Sequence, residues 1–182
     1  TEVEVDTRPP IEPEFVMSEI ELLDSDDGFD LDDDGTPDNG LALLFEDPYI
    51  GPALGGDPNE YIDRSIRRAE LLLLLDFRNF QGYSNDAAVD IDIFLGHDPD
   101  EDEDKDNNFD GEEFTVTCSS LTEDNTADSQ FLDASIQDGI LYGEKGSFRF
   151  LVSFSNTEVL LQDAKITGTF DVEGNLISDG LI

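Results

Sequence analysis

The chain has 182 residues, of which 46 are Asp or Glu and only nine are Lys or Arg, so its formal net charge is −37 at pH 7. This charge excludes general nucleic-acid binding and disfavours anionic membrane surfaces, because both would repel the protein. Thirteen Phe residues and a hydrophobic fraction of 37% still provide a core for one domain and argue against a disordered chain. The acidic, lysine-poor composition is typical of proteins from a saline habitat or of acidic extracellular proteins.

Residues 1–16 are predicted to form an extended N-terminal arm that precedes a single domain over residues 17–182. Acidic and apolar residues alternate at the start of this arm, and Pro9, Pro10 and Pro13 follow. Proline cannot donate a hydrogen bond to a central strand ladder, so the pattern indicates an extended arm or an edge strand. Such an arm lies along its own domain, adds a strand to a neighbouring subunit, or is a poorly ordered terminus.

The first acidic loop begins at Asp30 and has the ligand spacing of a calcium loop. Asp30, Asp32 and Asp34 occupy positions 1, 3 and 5, a glycine follows, Thr36 offers a carbonyl at position 7, and Asp38 stands at position 9. Calcium takes six to eight oxygen ligands from a flexible loop with a sharp turn. Position 12 carries no carboxylate, so an acid from elsewhere is needed to complete the shell. The candidates are Asp24, Asp26, Asp27 and Glu46.

The same loop resembles a thrombospondin type 3 calcium repeat, because alternating Asp residues end in a Gly and a further Asp. The likeness spans about a dozen residues and implies bound calcium rather than a whole array of repeats. Residues 28–39 are also similar to a segment of uncharacterised, predicted secreted bacterial proteins. That second likeness is local and implies no activity.

A helix is predicted over residues 58–69. Asp57 is a suitable N-cap, Pro58 suits the first helical position, and Glu60 stands three residues after the cap. Apolar residues then recur at helical spacing while arginines occupy the other side. We expect this helix to cover one end of a β-sheet.

Beyond the helix, the hydrophobic pattern changes to that of β-strands. Residues 71–77 form a continuous apolar run, and residues 87–95 alternate, with Asp90 and Asp92 on the face opposite the apolar side chains. Further strand-like runs are residues 114–118, 131–136, 140–142, 147–154, 158–161, 164–172 and 176–182. Short strands separated by Gly, Asn and Asp turns predict a mainly β fold, an antiparallel β-sandwich that is jelly-roll-like and has one short α-helix.

The second acidic loop lies between two of these strand-like runs. The oxygen-bearing residues at its alternating positions are Asp102, Asp104, Asp106, Asn108, Asp110 and Glu113. This spacing resembles an EF-hand calcium loop, with Asn107 where the family has Gly, and the resemblance implies a calcium ligand set. EF-hands need a helix on each side, whereas these flanks are predicted to be strands. The ligand set therefore carries over to this chain, but the helix-opening sensor mechanism does not.

The chain shows no catalytic motif, and we predict that it is not an enzyme. His97 is expected to be a strand-end residue rather than a ligand, and Cys118, the one cysteine, is expected to be a small buried residue. No apolar run is long enough to span a membrane. The start at Thr1 suggests a removed leader or a trimmed chain, and weak calcium loops fill where calcium is abundant, as outside cells.

These observations predict a secreted or cell-surface calcium-binding protein with a structural or adhesive role. Its expected partners are calcium, a glycan or surface protein, and identical subunits joined by strand addition of the arm into an extracellular filament. The alternatives are a calcium-dependent carbohydrate-binding module or glycoside hydrolase on the same scaffold, and an acidic surface that buffers calcium or binds mineral. A further alternative is that the two loops are solvated turns that hold no ion.

Overall fold

The computed structural model describes residues 15–20, 26, 28–30, 34–37, 42, 57–98, 114–152, 157–171 and 177–181. The described chain is mainly β, as predicted, with a helix before the main strands. The strands are β1 (Phe15–Val16), β2 (Leu73–Arg78), β3 (Asn85–His97), β4 (Thr115–Val116), β5 (Ser129–Gln137), β6 (Ile140–Val152), β7 (Thr157–Phe170) and β8 (Ile177–Leu181). Among the residues described, no helix combines the length and apolar character that crossing a membrane requires.

The predicted helix is confirmed as α1 (Pro58–Arg67). The Asp57 carboxylate accepts a hydrogen bond of 2.9 Å from the Asn59 N–H, so the expected N-cap is formed. After the last turn the Ser65 carbonyl accepts hydrogen bonds from the N–H groups of Glu70 and Leu71, which ends the helix before β2. Ile66 is buried in the core of the sheet, so the apolar side of α1 covers the sheet as expected.

All eight strands belong to antiparallel pairings, and seven of them lie in the order β1-β2-β3-β5-β6-β7-β8, with β4 paired to β3. Nearly every strand therefore pairs with its neighbour in the chain, and the sheet curls into a half-barrel. A jelly roll has Greek-key connections between two sheets. The predicted sandwich is not confirmed, because the strands that the structure describes form one curved sheet.

The curl of the sheet is explained by a row of β-bulges. Asp133, Lys145, Asp163 and Asp179 each have a φ between 50° and 59°, and they lie in β5, β6, β7 and β8 respectively. The strand registers shift next to each of these residues. A bulge bends its strand and increases the local twist, so bulges in four successive strands bend the whole sheet.

Two of these bulges correct the sequence-based strand boundaries. Residues 140–142 and 147–154 were expected to be separate strands, as were residues 158–161 and 164–172. Each pair is instead one long strand, β6 or β7, with a bulge at Lys145 or Asp163. The reversal of the chain occurs between β5 and β6, where Asp138 and Gly139 both have positive φ, as a type I′ hairpin turn requires.

The inner face of the half-barrel carries the main hydrophobic core. Phe77 on β2 and Phe170 on β7 have ring centroids 5.7 Å apart, although a flat sheet would separate those strands by roughly 19 Å. Phe131 on β5 is fully buried and lies over Gly146 on β6, where an added Cβ would overlap its ring. The curl is therefore what brings side chains from distant strands into one core.

Among the described residues, the opposite, outer face of the sheet carries a smaller hydrophobic cluster at one end. Leu74 and Phe94 pack there with Ala127, and residues around β4 cover them. Coverage on both faces explains why the leucines of β2 form a continuous run without alternation. The expectation that Cys118 is buried was wrong: β4 ends at Val116, a 3-10 turn follows, and Cys118 is exposed.

Candidate metal centre and the charged face of the sheet

In the described part of the first acidic loop, two backbone N–H groups hold the carboxylate of Asp30. The Asp34 N–H donates to Asp30 Oδ1 at 3.2 Å, and the Gly35 N–H donates to Asp30 Oδ2 at 2.8 Å. The Thr36 N–H donates to Asp34 Oδ1 at 2.8 Å. Gly35 has a φ of +88°, so the glycine stands where the chain turns sharply. The structure thus brings Asp30, Asp34 and Thr36 into one turn; Asp32 and Asp38 lie outside the described residues.

The two backbone hydrogen bonds leave coordination capacity on the Asp30 carboxylate. An ionised carboxylate offers about four lone-pair sites, and these two bonds engage two of them. The bonds fix the orientation of Asp30 and Asp34, which lowers the ordering cost of binding a cation. Within the described part of the chain, no group of three or more His, Cys, Asp or Glu side chains is placed to hold a metal. Asp30 and Asp34 offer carboxylate oxygens at this turn, and a metal centre there would need further ligands.

The start of the first loop is attached to the sheet. The Nζ atom of Lys165 on β7 lies 5.8 Å from the centroid of the Phe29 ring, within the range of a cation–π contact. Phe29 directly precedes Asp30 and is half-buried. The position of the acidic turn is therefore linked to the outer face of the sheet.

The second acidic loop can be described only at its ends. The predicted ligands Asp102, Asp104, Asp106, Asn108, Asp110 and Glu113 lie outside the described residues. At the base of the loop β3 and β4 pair, with Gly96 opposite Val116 and His97 opposite Thr115. The Thr115 hydroxyl also donates to the His97 carbonyl at 3.2 Å. The prediction of strands rather than helices on both flanks is confirmed, and His97 is the exposed last residue of β3, as expected.

Sequence reasoning missed a second charged site, on the outer face of the sheet. Asp76 on β2 stands directly opposite Asp92 on β3, and Asp92 is only 5% exposed. Arg78 Nη2 donates to Asp92 Oδ1 at 2.8 Å, and Arg78 Nε forms an ion pair with Asp92 Oδ2 at 2.7 Å. Gln130 Nε2 on β5 donates to the same Oδ1 at 3.0 Å. Asp92 is thus a buried carboxylate with an internal cation and a second donor.

The surroundings of Asp76 raise its pKa above the ordinary aspartate value. Burial is the largest cause, and the nearby negative charge of Asp92 adds to it, while Arg78 acts in the opposite direction. Because Arg78 already balances Asp92, this cluster is a structural ion pair rather than a vacant cation site.

The remaining acids of β3 also accept structural hydrogen bonds. Asp90 accepts from the Asn79 side chain at 2.8 Å and from the Asp133 N–H at 3.1 Å, and so it supports the bulge of β5. Asp86 is buried and accepts from the Gln81 N–H at 2.6 Å. The alternation of acids in β3 marks the correct face, but only the pairing with β2 shows which of them is balanced by a cation.

No protein-family model, curated protein or solved structure matches this chain.

Proposed function

We propose that the protein is a calcium-stabilised β-domain with a structural or adhesive role at the cell surface or outside the cell. The observation that carries this proposal is the turn around Asp30, whose carboxylate is held by two backbone N–H groups beside a second oriented carboxylate, that of Asp34. The backbone donors to Asp30 carry no full charge, and a divalent cation from solution would add positive charge at this turn.

Calcium suits this role better than magnesium. The loop sequence offers many oxygens, and calcium accepts six to eight of them in variable geometry, whereas magnesium requires strict octahedral geometry and retains waters. Binding to the folded state alone stabilises it by about 2.7 kcal/mol when free calcium is 100 times its dissociation constant. Such an effect requires abundant calcium, which supports a secreted or cell-surface location.

The test combines a calcium titration by calorimetry with thermal melting in calcium or chelator at constant ionic strength. We expect one or two saturable sites and a higher melting temperature in calcium. Asp30→Asn together with Asp34→Asn should abolish one site. Asp124→Asn is the matched control, because it removes an exposed carboxylate in the turn before β5. Many weak sites, or a melting temperature that chelator leaves unchanged, would refute the proposal.

Assembly through the N-terminal arm is a second candidate function, and it is favoured by the position of β1. Phe15 and Val16 pair antiparallel with Leu75 and Leu74 of β2, and the Met17 N–H donates to the Leu73 carbonyl at 2.9 Å. The end of the arm therefore already acts as an added strand, and exchange between subunits would make the same backbone bonds. Deleting residues 1–16, which removes β1 together with the rest of the arm, should abolish any polymers seen by light scattering and leave the monomer folded. Polymers that persist would refute assembly through the arm.

A further inference from the structure

A shallow, open depression lies on the outer face of the sheet where β5 and β6 pair. Its volume is about 630 Å³. The residues that line it are Leu132, Asp133, Ser135, Tyr142, Glu144 and Lys145. None of the described residues of the two acidic loops is in this lining.

Two large apolar side chains are exposed in the depression. Leu132 is 53% exposed and Tyr142 is 45% exposed. Both lie next to buried neighbours, Phe131 and Leu141, so strand alternation places them on the outer face. Both line the depression, so its surface combines an aromatic ring with an aliphatic side chain.

The polar side chains around Tyr142 are available to a ligand. In the described part of the chain, no ion pair or hydrogen bond engages the side chains of Asp133, Glu144 or Lys145. Asp133 and Lys145 are also the bulged residues of β5 and β6, and bulges commonly redirect side chains next to functional sites. The depression therefore presents hydrogen-bond acceptors and a donor of opposite charge around one aromatic ring.

We propose that this depression binds a neutral oligosaccharide, with the Tyr142 ring stacked on the C–H face of one sugar. The negative π face of an aromatic ring attracts weakly positive hydrogen atoms. Sugar hydroxyls both donate and accept, so they can satisfy the carboxylates of Asp133 and Glu144 and the ammonium group of Lys145 together. The open shape admits the interior of a glycan chain as well as its end.

Charge argues against the other occupants of the depression. An anionic glycan would meet a protein of net charge −37 and be repelled. A basic peptide would pair with the two carboxylates but not with the ammonium group of Lys145, and it is the competing occupant in the test. A neutral ligand with hydroxyl groups can use the donor and the acceptors together, and its binding does not depend on the calcium proposal.

The test is a glycan-array screen with cello-, manno- and maltohexaose, followed by calorimetry of the hexaose that binds. The variants are Tyr142→Ala, Tyr142→Phe, and the matched control Leu160→Ala, which truncates a 47% exposed residue on β7 outside the depression. We expect Tyr142→Ala to weaken binding by about tenfold. Tyr142→Phe and Leu160→Ala should bind as the unaltered protein does.

Melting temperatures of the variants separate lost binding from lost folding, and an exposed Tyr142 should be replaceable without unfolding. The absence of binding to every hexaose would overturn the proposal. Equal affinity of Tyr142→Ala and the unaltered protein, or binding of an oligolysine probe at this surface instead, would also overturn it. Sugar binding that persists when no saturable calcium site is found would support this inference and refute only the calcium proposal.

Discussion

The turn at Asp30 and the ion pair at Asp92 show two ways of holding carboxylates in a chain of net charge −37. Asp92 is buried and has Arg78 and Gln130 as partners from adjacent strands. Asp30 has backbone N–H groups as its donors, and these carry no full charge. A buried carboxylate needs its counter-charge built into the fold, because water cannot supply it. A carboxylate in a surface turn can take its counter-charge from a dissolved ion.

The largest expected effect comes from removing the built-in counter-charge. Arg78→Met should lower the free energy of unfolding by about 2–4 kcal/mol, because Asp92 would remain buried without its cation. This loss is toward the lower end of those expected for breaking a buried ion pair, because the Arg78 side chain is 41% exposed. Urea denaturation measures the loss.

The double variant Arg78→Met with Asp92→Asn provides the control for this comparison. It should recover much of the lost stability, since the uncompensated charge is gone. If Arg78→Met costs less than about 0.5 kcal/mol, the ion pair does not stabilise the sheet and the contrast with the Asp30 turn is lost.

A smaller effect of opposite sign is expected at Asp76. The pKa of Asp76 is raised in the folded protein, so folding favours the protonated carboxyl group. The stability that this group contributes is complete below the unfolded-state pKa and is lost as pH rises through the folded-state pKa. Asp76→Asn should therefore stabilise the protein at neutral pH, and this gain should disappear as the pH falls below the folded-state pKa. Denaturation midpoints of the two proteins across the acidic range measure the difference, and a gain that grows on acidification would contradict the expected linkage.

The smallest expected effect is a difference between the two sites in their response to salt concentration. The cost of Arg78→Met should change by less than about 0.5 kcal/mol between low and high sodium chloride, because a partly buried ion pair is weakly screened. Calcium affinity of the Asp30 turn should fall over the same range, since its carboxylates are exposed to competing ions. Parallel denaturation and calorimetry series in sodium chloride test both halves. Equal salt sensitivity of the two sites would show that burial does not distinguish them.

The helix and most strands could be predicted from the sequence because their signals are local. Asp57, Pro58 and Glu60 specify the start of α1 within one turn of chain, and alternation in residues 87–95 specifies β3. Lys145 and Asp163 show the limit of such signals. The turn-like residues around them occur both at β-bulges and at chain reversals. Only the pairing of β6 with β7 shows that these two positions are bulges.

For the candidate sites, the amino-acid order by itself determined where carboxylates are crowded, which residues alternate, and that Gly35 provides a sharp turn beside Asp30. Only the tertiary structure decided that Asp92 has a cation of its own and that Tyr142 is exposed in a depression beside Asp133. Strand pairing is non-local: Arg78 and Asp92 are fourteen positions apart and meet only through the register of β2 and β3. Bulges likewise change the face of the sheet on which a side chain lies. The surroundings of Asp92 and of Tyr142 therefore cannot be predicted from spacing along the chain.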